Sequence, residues 1–382
     1  MLLWALLRRL PRTKLGVAPL LAAAGRDFCR CRLQAKLRPR PCGGQNGGAT
    51  PIALGLALSA SSLFSQDAEE ETKKDAKEGL PEDAEEEIIF LLKKAKLCIM
   101  KGELEEAERL LHEAARLSHQ SNNRSGVIYT YDTMANLAFL RGQLDQAEKL
   151  FKAAMNFLLA GNMEQDDNAI IEMSLKLASI YAAQNLEQLA LAGYHFCILT
   201  LKEKIAKQKD MTADALSEEE RTDTRLLLGM SLDSYARYLL AHKHAAAAER
   251  MYEQALQISM EVQGETHPQT VVLMNDLATA IDAQGRYEDA YARVRRASDL
   301  AQQTEHPEAY VMLNNLAGIL THKGDFSQAR QVYKEALKQA EEAGDGAVVQ
   351  YIQKELAGLA RRQKQAKSAK KPAKEGNEGE KD

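Results

Sequence analysis

The sequence is poor in the residues that build sheets, disulfide frameworks and catalytic centres. Among its 382 residues are nine prolines, five cysteines and one tryptophan, and aromatic residues make up only 5%. Three cysteines, Cys29, Cys31 and Cys42, fall in the first fifty residues, so the count indicates neither a disulfide framework nor a zinc site. The sequence contains no phosphate-cradling glycine-rich loop, no His-Glu-x-x-His motif and no Cys-x-x-Cys pair. We therefore predict a protein that is not an enzyme and that binds no cofactor, metal or small-molecule substrate.

Alanine and leucine at helical spacing are what the chain has in abundance. Two copies of one pattern follow each other between Gly264 and Asp345, LATAIDAQGRYEDAYARVRRA and LAGILTHKGDFSQARQVYKEA. Each has an alanine in a first amphipathic run and a glycine seven residues later. In the second run an alanine is followed four residues later by Val294 or Tyr333 and three residues after that by another alanine. Small residues let two helices approach closely, and glycine accepts the backbone conformation that ends a helix. The pattern predicts a helix–turn–helix hairpin used as a repeat.

Six copies of this hairpin fit the chain. Twelve residues separate an alanine of the first helix from one of the second: Ala95 and Ala107, Ala135 and Ala147, Ala178 and Ala190, Ala236 and Ala248, Ala278 and Ala290, Ala317 and Ala329. A large residue follows four positions later and a small one seven positions later, which predicts large-against-small packing. The turn glycine is replaced by Asn185 and Lys243 in the third and fourth copies. A charged insertion, residues 201–224, is predicted to lengthen helices and a loop.

These hairpins resemble the tetratricopeptide repeat, and the GETHPQT and TEHPEAY joints resemble its longer, kinesin-light-chain type. The fold class we predict is an all-α tetratricopeptide-repeat solenoid of six helix pairs, over residues 87–366, plus a C-terminal capping helix. The cap should bury Val349, Ile352, Leu356 and Leu359 on one face.

Both ends of the chain differ in composition from the repeats. Residues 1–48 hold ten Lys or Arg against one acid, which is typical of a mitochondrial presequence. Residues 49–66 include the uncharged stretch ATPIALGLALSASSLF, which is either a marginal membrane segment or a continuation of the leader. We predict an acidic disordered linker at residues 67–86 and a disordered tail at 367–382.

Polar residues of the first helices are the candidates for binding a protein partner. In such repeats the first helices line the inner face, where side-chain amides can hold a partner's backbone. The candidates are Asn136, Asn275, Asn314, Asn315 and Arg237. For each one alone, solvated surface or a contact between helices is the alternative interpretation. Cys197 occupies an alanine position and is interpreted as a small core residue, and the pair His242 and His244 is not expected to bind metal.

Three stretches carry a closer resemblance: AEEEIIFLLKKAKLCIMKGELEEAERLLHEA, YTYDTMANLAFLRGQLDQAEKLFKA and DNAIIEMSLKLASIYAAQN. They resemble the mitochondrial tetratricopeptide-repeat family that maintains respiratory complex III. The resemblance implies a non-enzymatic factor of the mitochondrial inner membrane whose partners are complex III (cytochrome bc1), with its core and Rieske iron-sulfur subunits, and the membrane itself. It also implies a role in clearing Rieske presequence fragments. No nucleic acid is expected as a partner.

Two other classes stay open at this point. A cytosolic cargo or cytokinesis adaptor of the kinesin-light-chain type would share the GETHP joint, but a heptad coiled coil should precede its repeats. A peptidase acting directly on presequence fragments would need a nucleophile or a metal site, and the sequence shows neither.

Overall fold

The computed structural model describes residues 84–161, 163–209 and 216–369, with side chains as far as residue 363. Within these ranges the chain forms thirteen α-helices and no β-strand. The helices are α1 (Ala84–Lys101), α2 (Leu104–Gln120), α3 (Arg124–Leu140), α4 (Leu144–Leu159), α5 (Asn168–Ala183), α6 (Glu187–Lys209), α7 (Glu218–Ala241), α8 (Ala245–Val262), α9 (Pro268–Asp282), α10 (Tyr287–Gln303), α11 (Ala309–Lys323), α12 (Phe326–Glu342) and α13 (Gly346–Ala369).

The predicted leader, the uncharged stretch and nearly all of the acidic linker lie outside the described residues. Helix α1 begins at Ala84, three residues before the predicted start of the repeats. Helix α13 continues to Ala369, three residues into the predicted tail. No helix among the described residues is long and apolar enough to cross a bilayer.

Contacts divide the chain into two compact units, with the boundary in the sequence between Met163 and Glu164. The first unit holds the hairpins α1–α2 and α3–α4. The second holds α5–α6, α7–α8, α9–α10 and α11–α12, followed by α13. The six predicted helix pairs and the capping helix are therefore confirmed.

Columns of alanine mark where the two helices of each hairpin cross. The six first-helix alanines and the six second-helix alanines are all at most 1% exposed. The large residues four positions after the second alanine are at most 3% exposed: Leu111, Phe151, Tyr194, Tyr252, Val294 and Tyr333. Fully burying a side chain of that size stabilises the fold by about 1.5–3 kcal/mol. The register predicted from the sequence is confirmed in every copy.

All six hairpin turns use the same left-handed backbone conformation. Gly285 and Gly324 have φ of 79° and 85°, as a helix-ending glycine should. The replacements keep the turn, because Asn185 has φ 61° and Lys243 has φ 67°. Asparagine tolerates this region better than lysine does. The fourth copy therefore carries a local strain that the others avoid.

The charged insertion lengthens one helix on each side, as predicted. Helices α6 and α7 have 23 and 24 residues, whereas α8 has 18. Helix α7 starts with a capping box, in which the Ser217 side chain and the Glu220 side chain each bond the other's backbone N–H. A hydrogen bond joins the two lengthened helices: Gln208 on α6, which is 7% exposed, donates to Thr224 Oγ1 on α7 over 3.2 Å. The extra length is thus ordered helix up to Lys209 and again from Glu218.

Helix α13 covers the last hairpin. Val348, Ile352 and Leu359 are 6%, 0% and 1% exposed. Val349 and Leu356, also predicted to face the core, are half-buried and pack against it. The predicted cap is confirmed. Its buried face includes Val348, whereas the sequence predicts Val349 at that end of the helix.

Candidate protein-binding face

Three first helices of the second unit carry polar side chains at equivalent positions. Asp233 on α7, Asn275 on α9 and Asn314 on α11 each stand three residues before the repeat alanine. Arg237 lies one turn after Asp233 on α7, and Asp276 and Asn315 directly follow Asn275 and Asn314 in the chain. These six residues, Asp233, Arg237, Asn275, Asp276, Asn314 and Asn315, are hereafter the polar row.

Hydrogen bonds connect the residues of the row that lie on α9 and α11. On α11, Asn314 Nδ2 lies 3.4 Å from Asn315 Oδ1. Asn315 Nδ2 donates to Asn275 Oδ1 on α9 over 2.9 Å, and Asn275 Nδ2 donates to Asp276 Oδ1 over 3.2 Å. The chain of donors therefore runs from α11 across α9 and ends on a carboxylate.

The carboxylate end fixes the direction of the chain. An ionised carboxylate can only accept hydrogen bonds. Asn275 must therefore turn its Nδ2 toward Asp276, which leaves its Oδ1 to accept from Asn315. The amide orientations on two helices are thus set by one charge.

One guanidinium serves two carboxylates at that end. Arg237 Nη2 lies 2.7 Å from Asp233 Oδ2 and 3.6 Å from Asp276 Oδ2. Burial raises the pKa of Asp276 to about 6; Arg237 opposes the shift, and the charges of Asp233 and Glu308 add to it. Burial likewise raises the pKa of Asp233, with Arg237 opposing. Two acids, the buried Asp233 and the half-buried Asp276, share one base, which makes this end electronegative and able to take up a proton.

A second contact joins α9 and α11 nearer their C-terminal ends. His322 Nδ1 lies 2.9 Å from the carboxylate of Asp282. The hydrogen bond to Asp282 raises the pKa of His322, and partial burial opposes that change. The Tyr287 ring lies beside the imidazole, with centroids 5.5 Å apart. The inner sides of α9 and α11 are therefore cross-linked by polar contacts at two levels.

Accessible groups on the same faces give a partner something to touch. Met230 precedes Asp233 by three residues and is 52% exposed. Asn314 and Asn315 are half-buried, and Asn314 Oδ1 has no hydrogen-bond partner among the described residues. Gly318 follows Asn314 by four residues, and a Cβ there would meet only Tyr333 Oη, at 3.7 Å. The face thus combines an exposed apolar side chain, amides and a gap left by glycine.

The sequence candidates have unequal positions in this structure. Asn275 is 4% exposed and bonded on both sides, so it holds its neighbours in place rather than pointing into solvent. Arg237 is bound to acids of the row. Asn136 belongs to the first unit, is exposed and bonds only Asp132 on its own helix. The structure therefore brings Arg237, Asn275, Asn314 and Asn315 into one network, and Asn136 stands apart from it.

Asp233, Asp276 and the Asp282–His322 pair were not singled out from the sequence. A signal for Asp233 did exist, since it occupies the position of Asn275 and Asn314 in its own repeat. No comparable signal marks Asp282, because its link to His322 depends on the spacing between α9 and α11.

Cys197 and His242, for which the sequence predicts no chemical role, make structural contacts. Cys197 is 0% exposed, and burial raises the pKa of its thiol to about 12, so it is a small core residue. His242 Nδ1 lies 2.8 Å from the Tyr238 carbonyl, at the end of α7. Among the described residues no group of three or more His, Cys, Asp or Glu side chains is placed to hold a metal ion.

Comparisons with known proteins agree with this architecture. Residues 231–303 and 311–343 match tetratricopeptide repeat families. The chain is 53% identical over 361 residues to human "Tetratricopeptide repeat protein 19, mitochondrial", covering 90% of this chain and 94% of that protein. The rat protein of the same name is 53% identical over 366 residues, covering 93% and 98%. A Drosophila melanogaster homologue is 24% identical over 263 residues, covering 69% and 65%.

Solved structures show the same fold at low sequence identity. BtubC (BKLC) from P. vanneervenii has a TM-score of 0.50 at 18% identity, over 64% of this chain and 92% of that one. A signal-transduction ATPase with a tetratricopeptide repeat sensor, from Pyrococcus horikoshii, has a TM-score of 0.52 at 18% identity, over 75% and 41%. These likenesses concern the fold alone.

Proposed function

Because the chain belongs to the family of mitochondrial tetratricopeptide repeat protein 19, we propose that it is a non-enzymatic factor of the mitochondrial inner membrane that binds respiratory complex III. It is a tetratricopeptide-repeat protein of mitochondria, in keeping with its relatives' names. Through this binding it preserves the assembly and activity of the complex, and it promotes clearance of Rieske presequence fragments.

The polar row supports a binding role. It places amides and charges at equivalent positions of three successive first helices, which is how a repeat protein builds an extended surface for another chain. The half-buried Asn314 and Asn315 on α11 and the exposed Met230 on α7 belong to this surface, so a partner can make both polar and apolar contacts with it. We assign the core and Rieske subunits of complex III as the partners.

A bulky substitution on this face tests the proposal while leaving the side chains of the polar row unchanged. Gly318→Gln adds a long side chain beside Asn314 and Asn315, while Gly318→Ala adds only a methyl group that finds 3.7 Å of room. We expect the glutamine variant to recover markedly less of the core and Rieske subunits in a pull-down from mitochondria. The alanine variant should recover as much as the unsubstituted chain.

A third variant controls for adding glutamine to a helix. Gly358→Gln lies on α13, where a new Cβ meets nothing within 4 Å. It should leave recovery of complex III unchanged. In cells, only Gly318→Gln should lower quinol–cytochrome c electron transfer and let Rieske fragments accumulate. Equal recovery with all three variants would exclude the polar row as the contact surface and leave the 201–224 insertion or the acidic linker as candidates.

Two further experiments test the remaining parts of the proposal. A reporter fused to residues 1–66 should reach mitochondria and become shorter there, and a full-length reporter left in the cytosol would contradict the targeting prediction. The purified protein, incubated with presequence peptides alone, should leave them intact. Cleavage under those conditions would show that the chain is a peptidase.

A further inference from the structure

The outward face of α1 carries large apolar side chains that no described residue covers. Phe90, Leu97 and Met100 are 57%, 49% and 53% exposed. The opposite face of the same helix is core, with Ile88, Leu91 and Ala95 at 2%, 4% and 0%. Helix α1 is therefore apolar on both sides, whereas a helix that ends a repeat array needs only one apolar face.

The exposed face has the spacing of a helix–helix seam. Glu86, Phe90, Lys93, Leu97 and Met100 follow one another at intervals of four, three, four and three residues. That alternation keeps one stripe facing a partner helix along its length. All five are exposed, and the 18 residues of α1 give a seam of about 27 Å.

Charge is distributed along this face in a self-complementary way. The first turn of α1 is acidic, with Glu86 on the exposed stripe, and the last turn holds Lys101. When two such helices run antiparallel, residues whose numbers add to 187 lie opposite each other. Phe90 of one copy then faces Leu97 of the other, and Glu86 faces Lys101. Antiparallel packing also sets opposite helix dipoles side by side.

We propose that the α1 faces of two copies of this chain pack antiparallel around a twofold axis. The interface is isologous, since each contact between Glu86 and Lys101 or between Phe90 and Leu97 occurs twice. One helix face falls short of the roughly 800 Å² per partner of a standard stable interface, so the association is weak and concentration-dependent.

Lys93 limits the strength of this pairing. It sits in the middle of the stripe, close to the twofold axis, so the two copies bring Lys93 near Lys94 of the other chain. Lys94 leans toward Glu106, with Nζ 4.0 Å from its carboxylate. A charged residue inside a helix–helix seam fixes the register of the two helices at a cost in affinity. An anionic lipid surface would instead attract Lys93. Substituting Lys93 therefore distinguishes a lipid surface from a second copy of the chain.

Charge exchange between full-length copies tests the proposal. Two full-length chains with complementary luciferase fragments at their C-termini are co-expressed, because that signal reports weak association without washing. A copy with Glu86→Lys should give a low signal with itself, as should Lys101→Glu with itself. The mixed pair, Glu86→Lys with Lys101→Glu, restores both contacts and should exceed either self-pair by at least about threefold.

Other variants separate the possible occupants. Phe90→Ser with Leu97→Ser should abolish the signal, whereas Phe196→Ser with Leu199→Ser, on the exposed side of α6, should leave it unchanged. If a second copy packs on this face, Lys93→Met should raise the luciferase signal, because it removes a charge from the seam. If an anionic membrane binds the face instead, the same change would lower the signal. Equal signals from mixed and self-pairs, or loss only with the α6 variant, would overturn the proposal.

Discussion

Asn315 Nδ2 on α11 donates to Asn275 Oδ1 on α9 over 2.9 Å, so two asparagines a repeat apart join neighbouring first helices. The acceptor is buried and the donor is half-buried. This bond belongs both to the stability of the second unit and to the surface proposed for binding, which is why substitutions there need structural controls.

Asn275→Ala should destabilise the protein. It leaves Asn315 Nδ2 without its acceptor and removes the hydrogen bond to Asp276 Oδ1, in a largely buried setting, which costs about 1–3 kcal/mol. Chemical denaturation measures the change. Asn136→Ala is the matched control, because Asn136 is exposed and bonded only within its helix, so its effect should stay within about 0.5 kcal/mol. Equal costs for both would mean that the interhelical bond contributes nothing.

Asp276→Asn should change how stability depends on pH. The folded-state pKa of Asp276 is raised to about 6, above the ordinary value of about 3.9, so the folded protein holds this proton more tightly than the unfolded chain. The resulting stability is fully present below the ordinary value and is lost as pH rises through about 6. The variant has no carboxyl group there and lacks this loss. As pH rises from 4 to 7, the melting temperature of the variant should therefore increase relative to that of the unsubstituted chain. A constant difference across that range would contradict the assignment.

The His322–Asp282 pair should also stabilise the fold more at low pH than at high pH, with His322 as the titrating group. The pKa of His322 is raised by Asp282, so its contribution is present below the ordinary histidine value of about 6.5 and is lost as pH rises above the folded value. Because the His322 side chain is 47% exposed, the effect on stability is small. Asp282→Asn should lower the pKa of His322, which NMR titration of the imidazole measures directly. An unchanged titration curve would exclude Asp282 as the cause.

Gly193→Ala should destabilise the third hairpin. A Cβ at Gly193 would lie 2.7 Å from Ala178 Cβ, where α5 and α6 cross, so the helices must separate. Overpacking of this kind costs about 1–3 kcal/mol. Gly318→Ala has room, and it should be neutral or stabilise by up to about 1 kcal/mol through helix propensity. Melting temperatures that move in the same direction would show that the close approach is not rigid.

Lys243→Gly should stabilise the fourth hairpin. Lys243 has φ 67°, which costs a residue with a side chain about 1 kcal/mol and costs glycine nothing. The reverse change, Gly285→Ala at φ 79°, should lower stability by a similar amount. The two melting temperatures therefore should move in opposite directions.

The repeats could be predicted because their signal is local and repeated. Ala278 and Ala317 with Gly285 and Gly324 mark where helices cross and turn, and any copy of the pattern gives the same answer. The burial of Asn275 was not predictable in this way. Whether a first-helix amide faces solvent or a neighbouring helix depends on the distance between helices of different repeats, which the spacing within one repeat does not contain.

The alanine columns have a consequence for inherited variation. Each column position is at most 1% exposed and is filled by nearly the smallest side chain available, so almost every replacement adds volume, charge or a polar group where there is no room. A single base change in an alanine codon gives only Ser, Thr, Val, Pro, Gly, Asp or Glu, and none of these matches a methyl group in a close helix crossing. Missense changes at these alanines should therefore reduce the amount of folded protein, whereas changes at the half-buried Asn314 should leave folded protein that binds poorly. The two kinds of variant can be separated by measuring abundance before activity.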